Sequence, residues 1–159
     1  VRHENREKGL LMNKKIIIFL VIGVVILIGI AWYLISPAFR VIEVNEDLPP
    51  LDTGARGIYT QGNFVPSAHE VAGSVKLIRE AGRGDYLRFE DFETINGPDL
   101  FIYLATDTTA SDFVNLGEIK ATRGNVNYAI PAGTDLEKYD TVLVWCRAFS
   151  VLFSYAELE

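Results

Sequence analysis

The chain holds a single cysteine, a single methionine and two histidines in 159 residues. One cysteine excludes an internal disulfide, so Cys146 pairs with another molecule, holds a group, or packs as a small inert thiol. Cys146 and His69 cannot build a zinc site of the usual ligand count without carboxylates. No C-x-x-C-H run for covalent haem attachment exists, and Met12 precedes the apolar segment. No metal site is expected. No Ser/His/Asp hydrolase elbow, phosphate-binding glycine loop or general-acid pair is present either. Cations are scarce after residue 40: residues 41–159 carry nine Lys/Arg against nineteen Asp/Glu, a formal charge of about -10. That charge disfavours nucleic acid and anionic lipid as partners of that part, because both would be repelled.

What the chain does have is one long apolar run. Ile16–Ile35 is twenty residues without a charge, enough at about 1.5 Å per residue to cross the roughly 30 Å hydrocarbon layer. The expectation is a transmembrane helix over residues 16–36, in contact with membrane lipid. Lys14 and Lys15 flank its start, and Glu43, Glu46 and Asp47 follow its end. This bias places a tail of residues 1–15 in the cytoplasm and the rest outside the cell membrane, a single-pass signal-anchor topology. Met12-Asn13-Lys14-Lys15 has the form of a start site. The competing reading is a cleaved signal peptide cut after Ser36-Pro37-Ala38, which the length of the apolar run and the proline at the cut disfavour.

Residues 37–56, with Pro49, Pro50, Asp52 and Gly54, read as a stiff solvated linker. Residues 57–159 read as one extracytoplasmic all-β domain. Val71/Val75/Leu77, Leu87/Phe89 and Val126/Tyr128/Ile130 alternate with polar residues, the pattern of half-buried strands. Leu100–Ala105 is apolar on both faces, as expected of a central strand. Turn chemistry separates these runs, and Asp135–Tyr139 can form one helical turn capped by Thr134 or Asp135. Seven to eight short strands argue an antiparallel β-sandwich or barrel of Greek-key type.

The last apolar run, Thr141–Leu158, carries Cys146 between Trp145 and Arg147. As one unbroken strand it would bury the bulky odd positions and turn Cys146 to the other face. A corner or bulge around Arg147–Ser150 would instead leave Cys146 in the core with Val142 and Val144. Cys146 is the candidate reactive atom, as nucleophile or redox group. Arg147, His69 and Trp145 are candidate tuning or ligand residues, and Trp145 or Tyr139, if exposed, could stack on a sugar. Glu90, Asp91, Glu93 and Asp99 lack calcium-loop spacing. Pairing with these carboxylates is the simplest role for Arg88, Arg123 and Arg147.

Several runs, in order, carry a family likeness: Gly62-Asn63-Phe64, His69-x-x-x-Gly73, Leu87–Leu104 with LRFEDF and NGPDLFIYL, Leu116–Pro131, and TVLVWCRAFSVLFSYAEL. Over residues 56–158 the chain resembles the DM-thirteen domain family, found behind a membrane segment in prokaryotes and beside DOMON domains in animal proteins. The resemblance implies extracellular electron transfer through a hallmark cysteine, matched here by Cys146, acting as a naked thiol or by holding a prosthetic group such as haem. It implies a redox partner protein. Two other readings remain open: a non-enzymatic surface module that binds a ligand or protein with Cys146 structural, and a dimer linked through Cys146.

Overall fold

In the computed structural model, residues 2–36, 40–48, 56–80 and 84–159 are described, with side chains from residue 14 onward except at 56 and 80. The proline-rich part of the expected linker (49–55), the proposed cut site around Pro37-Ala38 and the turn at 81–83 lie outside the described residues. The chain divides into two compact units, Val1–Pro37 and Ala38–Glu159.

The first unit is helix α1, Arg2–Ile35. Its Lys14–Ile35 stretch is long and apolar enough to cross a membrane, and its large apolar side chains are exposed throughout. A helix that is apolar all round finds no core to bury against and suits a lipid surround. The helix reaches back through the polar residues expected as a tail; Arg, Glu, Lys and Leu are good helix formers.

The second unit is a β-sandwich. One sheet comprises β1 (Glu43–Asn45), β8 (Arg123–Ala129), β5 (Gly84–Thr94), β4 (Val71–Glu80) and β2 (Arg56–Asn63), in that spatial order. The other comprises β3 (Val65–Pro66), β10 (Val151–Glu157), β9 (Thr141–Cys146), β6 (Leu100–Ala105) and β7 (Phe113–Glu118). All neighbours pair antiparallel except β1 with β8. The alternation expected for β4, β5 and β8 sends Val75, Leu77, Leu87, Phe89, Val126 and Tyr128 into the space between the sheets. Phe89 meets Phe64, Phe92 and Tyr128 at centroid distances of 4.9–5.2 Å. The Tyr128 hydroxyl, whose titration burial pushes upward, accepts from the Lys120 N–H at 2.9 Å. β6 is buried on both faces, between β9 and β7. The expected helical turn is capped by Asp135, whose carboxylate accepts from the N–H groups of Glu137 and Lys138 at 3.1 and 3.2 Å.

Two features depart from the sequence expectation. Residues 40–48 were expected to be solvated spacer, yet they are bound to the sheet. Glu46 donates its N–H to the Asn125 carbonyl at 2.8 Å. Its carboxylate accepts from the Asn127 N–H at 2.7 Å and from Lys120 at 3.1 Å, and its carbonyl accepts from Arg88 at 2.6 Å. A three-residue strand is too short to show alternation, and its polar side chains serve as partners for the sheet. The second feature is a corner where the two sheets are joined: Gln61 and Glu159 exchange backbone hydrogen bonds at 3.0 and 3.1 Å. Gly62 permits it, since a Cβ there would lie 2.0 Å from the Glu157 carbonyl oxygen.

Candidate functional site around Cys146

β9 alternates cleanly. Val142, Val144 and Cys146 face the space between the sheets, while Leu143 and Trp145 face outward. The chain then turns at 147–150, where Ser150 takes φ 52°, and returns as β10 with Val151 opposite Cys146. The corner alternative is therefore the one the fold adopts, and Cys146 sits in the core with Val142 and Val144. Of the residues that dominate turns, Arg147-Ala148-Phe149-Ser150 contains only Ser150, so the turn signal in the sequence is weak.

The thiol is fully buried. Leu100 on β6 and Val151 on β10 are its cross-strand partners. The register of β10 shifts between Leu152 and Ser154, and this bulge sends both Phe153 and Ser154 into the interior. Ser154, opposite Val144, is on the same face as Cys146, and its hydroxyl is buried without a hydrogen-bond partner among the described residues. Cys146 is nevertheless the last residue of its strand, one position from the exposed turn.

The other candidates are spread around it. Arg147 lies on the opposite face of the sheet from the thiol. Its guanidinium grips Asp99 in a two-point contact at 2.9 and 3.2 Å and lies 4.0 Å above the Phe101 ring. The hydrogen bond to Asp99 raises its pKa, securing it as a cation. Trp145, half-buried, packs on the outward cluster of Phe101, Tyr103, Ala105 and Leu143. His69, in the segment between β3 and β4, rests its ring 4.0 Å from that of Phe153 and donates its backbone N–H to the Phe153 carbonyl at 3.2 Å. Cys146, Phe153 and Ser154 thus share the interior, while Arg147 and Trp145 belong to the far side of the sheet. Phe149, one of the bulky odd positions that an unbroken strand would bury, is 68% exposed on the turn. Its position follows from the turn, which takes it out of the strand alternation. Phe153 and Ser154, the residues nearest the question, owe their placement to a bulge that residue spacing does not encode.

The acidic set is dispersed. Glu90 pairs with Lys76 and Arg88, Glu93 with Arg123, and Asp99 with Arg147. Among the described residues no group of three His, Cys, Asp or Glu side chains could hold a metal ion. A haem ligated by Cys146 does not fit this fold. The sulfur is enclosed by close-packed side chains, and neither the groove lined by Gln61, Asn63 and Glu157 nor the cavity lined by Asp107, Asp140 and Thr141 includes Cys146 or His69, so a flat macrocycle has no face from which to approach it.

A family model described as electron transfer DM13 matches residues 63–158, a span that includes Cys146. No curated protein and no solved structure matches the chain.

Proposed function

We propose that this chain, which belongs to the electron transfer DM13 family, is a membrane-anchored extracytoplasmic module that passes electrons to a partner protein through Cys146 as a gated, naked thiol. The family match supplies the redox reading. The observation that carries the gating is the position of the thiol: buried, yet at the strand end beside the exposed 147–150 turn. With one cysteine the chain cannot store two electrons as an internal disulfide. The Cys146 thiolate instead attacks a partner's disulfide, forming a mixed disulfide and releasing the partner's second sulfur as a thiolate. A thiolate of a reduced dithiol donor then attacks the Cys146 sulfur and releases the partner as a dithiol. The donor's second thiolate attacks the donor sulfur of the new mixed disulfide, freeing the Cys146 thiolate and leaving the donor as a disulfide, so that two electrons pass from donor to partner. Because the sulfur is enclosed, each step requires the start of β10 to lift from β9. Arg147, on the other face, holds the turn through Asp99 rather than touching the sulfur. In this reading α1 serves as the anchor, and the charge bias around it supports a β-domain on the outer side.

The test is a pair of variants in intact cells. Cys146→Ser abolishes mixed-disulfide capture of a partner, and protease added outside removes the β-domain but leaves a membrane-bound stub. If the variant keeps every redox activity, the thiol is not the redox group; if the domain is freely secreted, α1 is not an anchor. The burial of Cys146 also favours a second reading, a non-enzymatic ligand- or protein-binding module with a structural cysteine. In that case the variant changes stability and no redox trait.

A further inference from the structure

At the corner where β2 meets β10 the outer faces of the two sheets become continuous and enclose a groove of about 470 Å³, within the size range of small-molecule sites. The register explains its lining. Gln61 and Asn63 on β2 stand opposite Lys76 and Ser74 on β4, on the outward face of the first sheet. Tyr155 and Glu157 occupy the outward positions of β10, and Glu159 follows them. Gly62 lies at the junction, where its missing side chain lets the two backbones touch. Val65 completes the lining.

What sets these side chains apart is that six polar groups without a partner among the described residues line one groove. Several charged and amide groups elsewhere are tied in pairs: Lys138 with Asp112, Lys120 with Glu46, Asn125 with Asn45. No hydrogen bond or ion pair joins the Gln61, Asn63, Ser74, Tyr155, Glu157 or Glu159 side chains to another described residue, and no Lys, Arg or His lines the groove. The groove therefore presents two amides and two hydroxyls, which both donate and accept, beside two carboxylates that accept, with one aromatic ring and one valine.

The chemistry selects a ligand class by elimination. Phosphorylated, sulfated or uronic-acid ligands meet two uncompensated carboxylates. A divalent cation wants six or more oxygens gathered closely, and no cluster of three acidic groups exists among the described residues. An organic ammonium group is recognised by several rings, and here there is one. An apolar ligand finds Val65 and one face of Tyr155. We propose that the groove binds an uncharged glycan segment of one or two sugar units, one sugar face on Tyr155 and its hydroxyls shared among Gln61, Asn63, Ser74 and Glu157. This site is independent of Cys146.

The test uses the full chain in a detergent without a sugar headgroup. Cellotriose, maltotriose and triacetylchitotriose are titrated by calorimetry and ligand-observed NMR, with spermidine and a heparin tetrasaccharide as charged probes. At least one neutral trisaccharide is expected to bind with a dissociation constant of about 1 mM or tighter. Asn63→Ala and Glu157→Gln, both at exposed positions, each weaken it by about tenfold or more, with thermal unfolding unchanged. Tyr155→Leu does the same, and Cys146→Ser leaves binding intact. The proposal is overturned if no neutral trisaccharide binds at about 10 mM, if binding survives all three groove variants, or if spermidine or heparin binds and the neutral sugars do not.

Discussion

The reactivity of Cys146 is set by the free energy of uncovering it, and that cost follows from the packing. The relative exposure of the residue is 0%, and the residue facing it is Val151, with the inward Phe153 two positions further along β10. Reaching the sulfur from the 147–150 turn requires these two side chains to leave the core. Burial of an aliphatic or aromatic side chain stabilises by about 1.5–3 kcal/mol, so opening costs about 3–6 kcal/mol. At about 1.4 kcal/mol per factor of ten, labelling of the native thiol is slowed about a hundredfold to ten-thousandfold relative to the denatured chain. The assay is the rate of alkylation by iodoacetamide, read by mass spectrometry across sub-denaturing urea. Local opening predicts a rate that depends weakly on urea, because little surface is exposed. A native rate within about threefold of the denatured rate would show an open thiol and refute the packing argument. A rate that follows global unfolding at every urea concentration would remove the local opening that the redox reading needs.

Three further outcomes follow from the same packing. Cys146→Ser places a second hydroxyl on the inward face that already holds the unpartnered Ser154 hydroxyl, and costs about 1–3 kcal/mol; Cys146→Ala costs less, and the reverse order in denaturant melts would show that the sulfur faces a polar site. Partial burial raises the Glu46 pKa, but the Asn127 N–H and Lys120 more than offset this, and the carboxyl is held below its ordinary value of 4.5. A lowered pKa stabilises the fold above pH 4.5, and that stability is lost as pH falls through the folded value. The difference in melting temperature between the native chain and Glu46→Gln is thus constant at neutral pH and shrinks in acid; a difference that does not change with pH would contradict it. Gly62→Ala forces a Cβ to 2.0 Å from the Glu157 carbonyl oxygen and lowers stability by about 1–3 kcal/mol, and an unchanged denaturation midpoint would mean that the two strands do not abut there.

Much of this protein is written in local pattern. The apolar run that becomes most of α1, the alternation of β4, β5 and β8, the doubly buried β6 and the Asp135 turn each depend on side chains within a few residues of one another, and spacing alone reveals them. The pairing of Arg88, Arg123 and Arg147 with Glu90, Glu93 and Asp99 was legible for the same reason, since a cation beside a carboxylate-rich segment finds a partner. The strand character of residues 43–45 was not legible, because three residues carry no period and their contacts come from β8, about eighty residues away.

The sequence by itself determined an all-β domain behind one membrane-length helix, and singled out Cys146 as the sole thiol. Tertiary structure decided which face Cys146 occupies. In a strand, a shift of one residue moves every following side chain to the opposite face, and the shifts here come from a turn without Gly, Pro, Asn or Asp and from a bulge at Phe153. Both features are held by partners distant in the chain. Arg147 and its backbone N–H are fixed by Asp99, and the carbonyl of Phe153 accepts from Ser67 and His69. The groove at Gly62 has the same origin, because Gln61, Asn63, Ser74, Tyr155 and Glu157 come together only when two sheets from opposite ends of the domain close on one another.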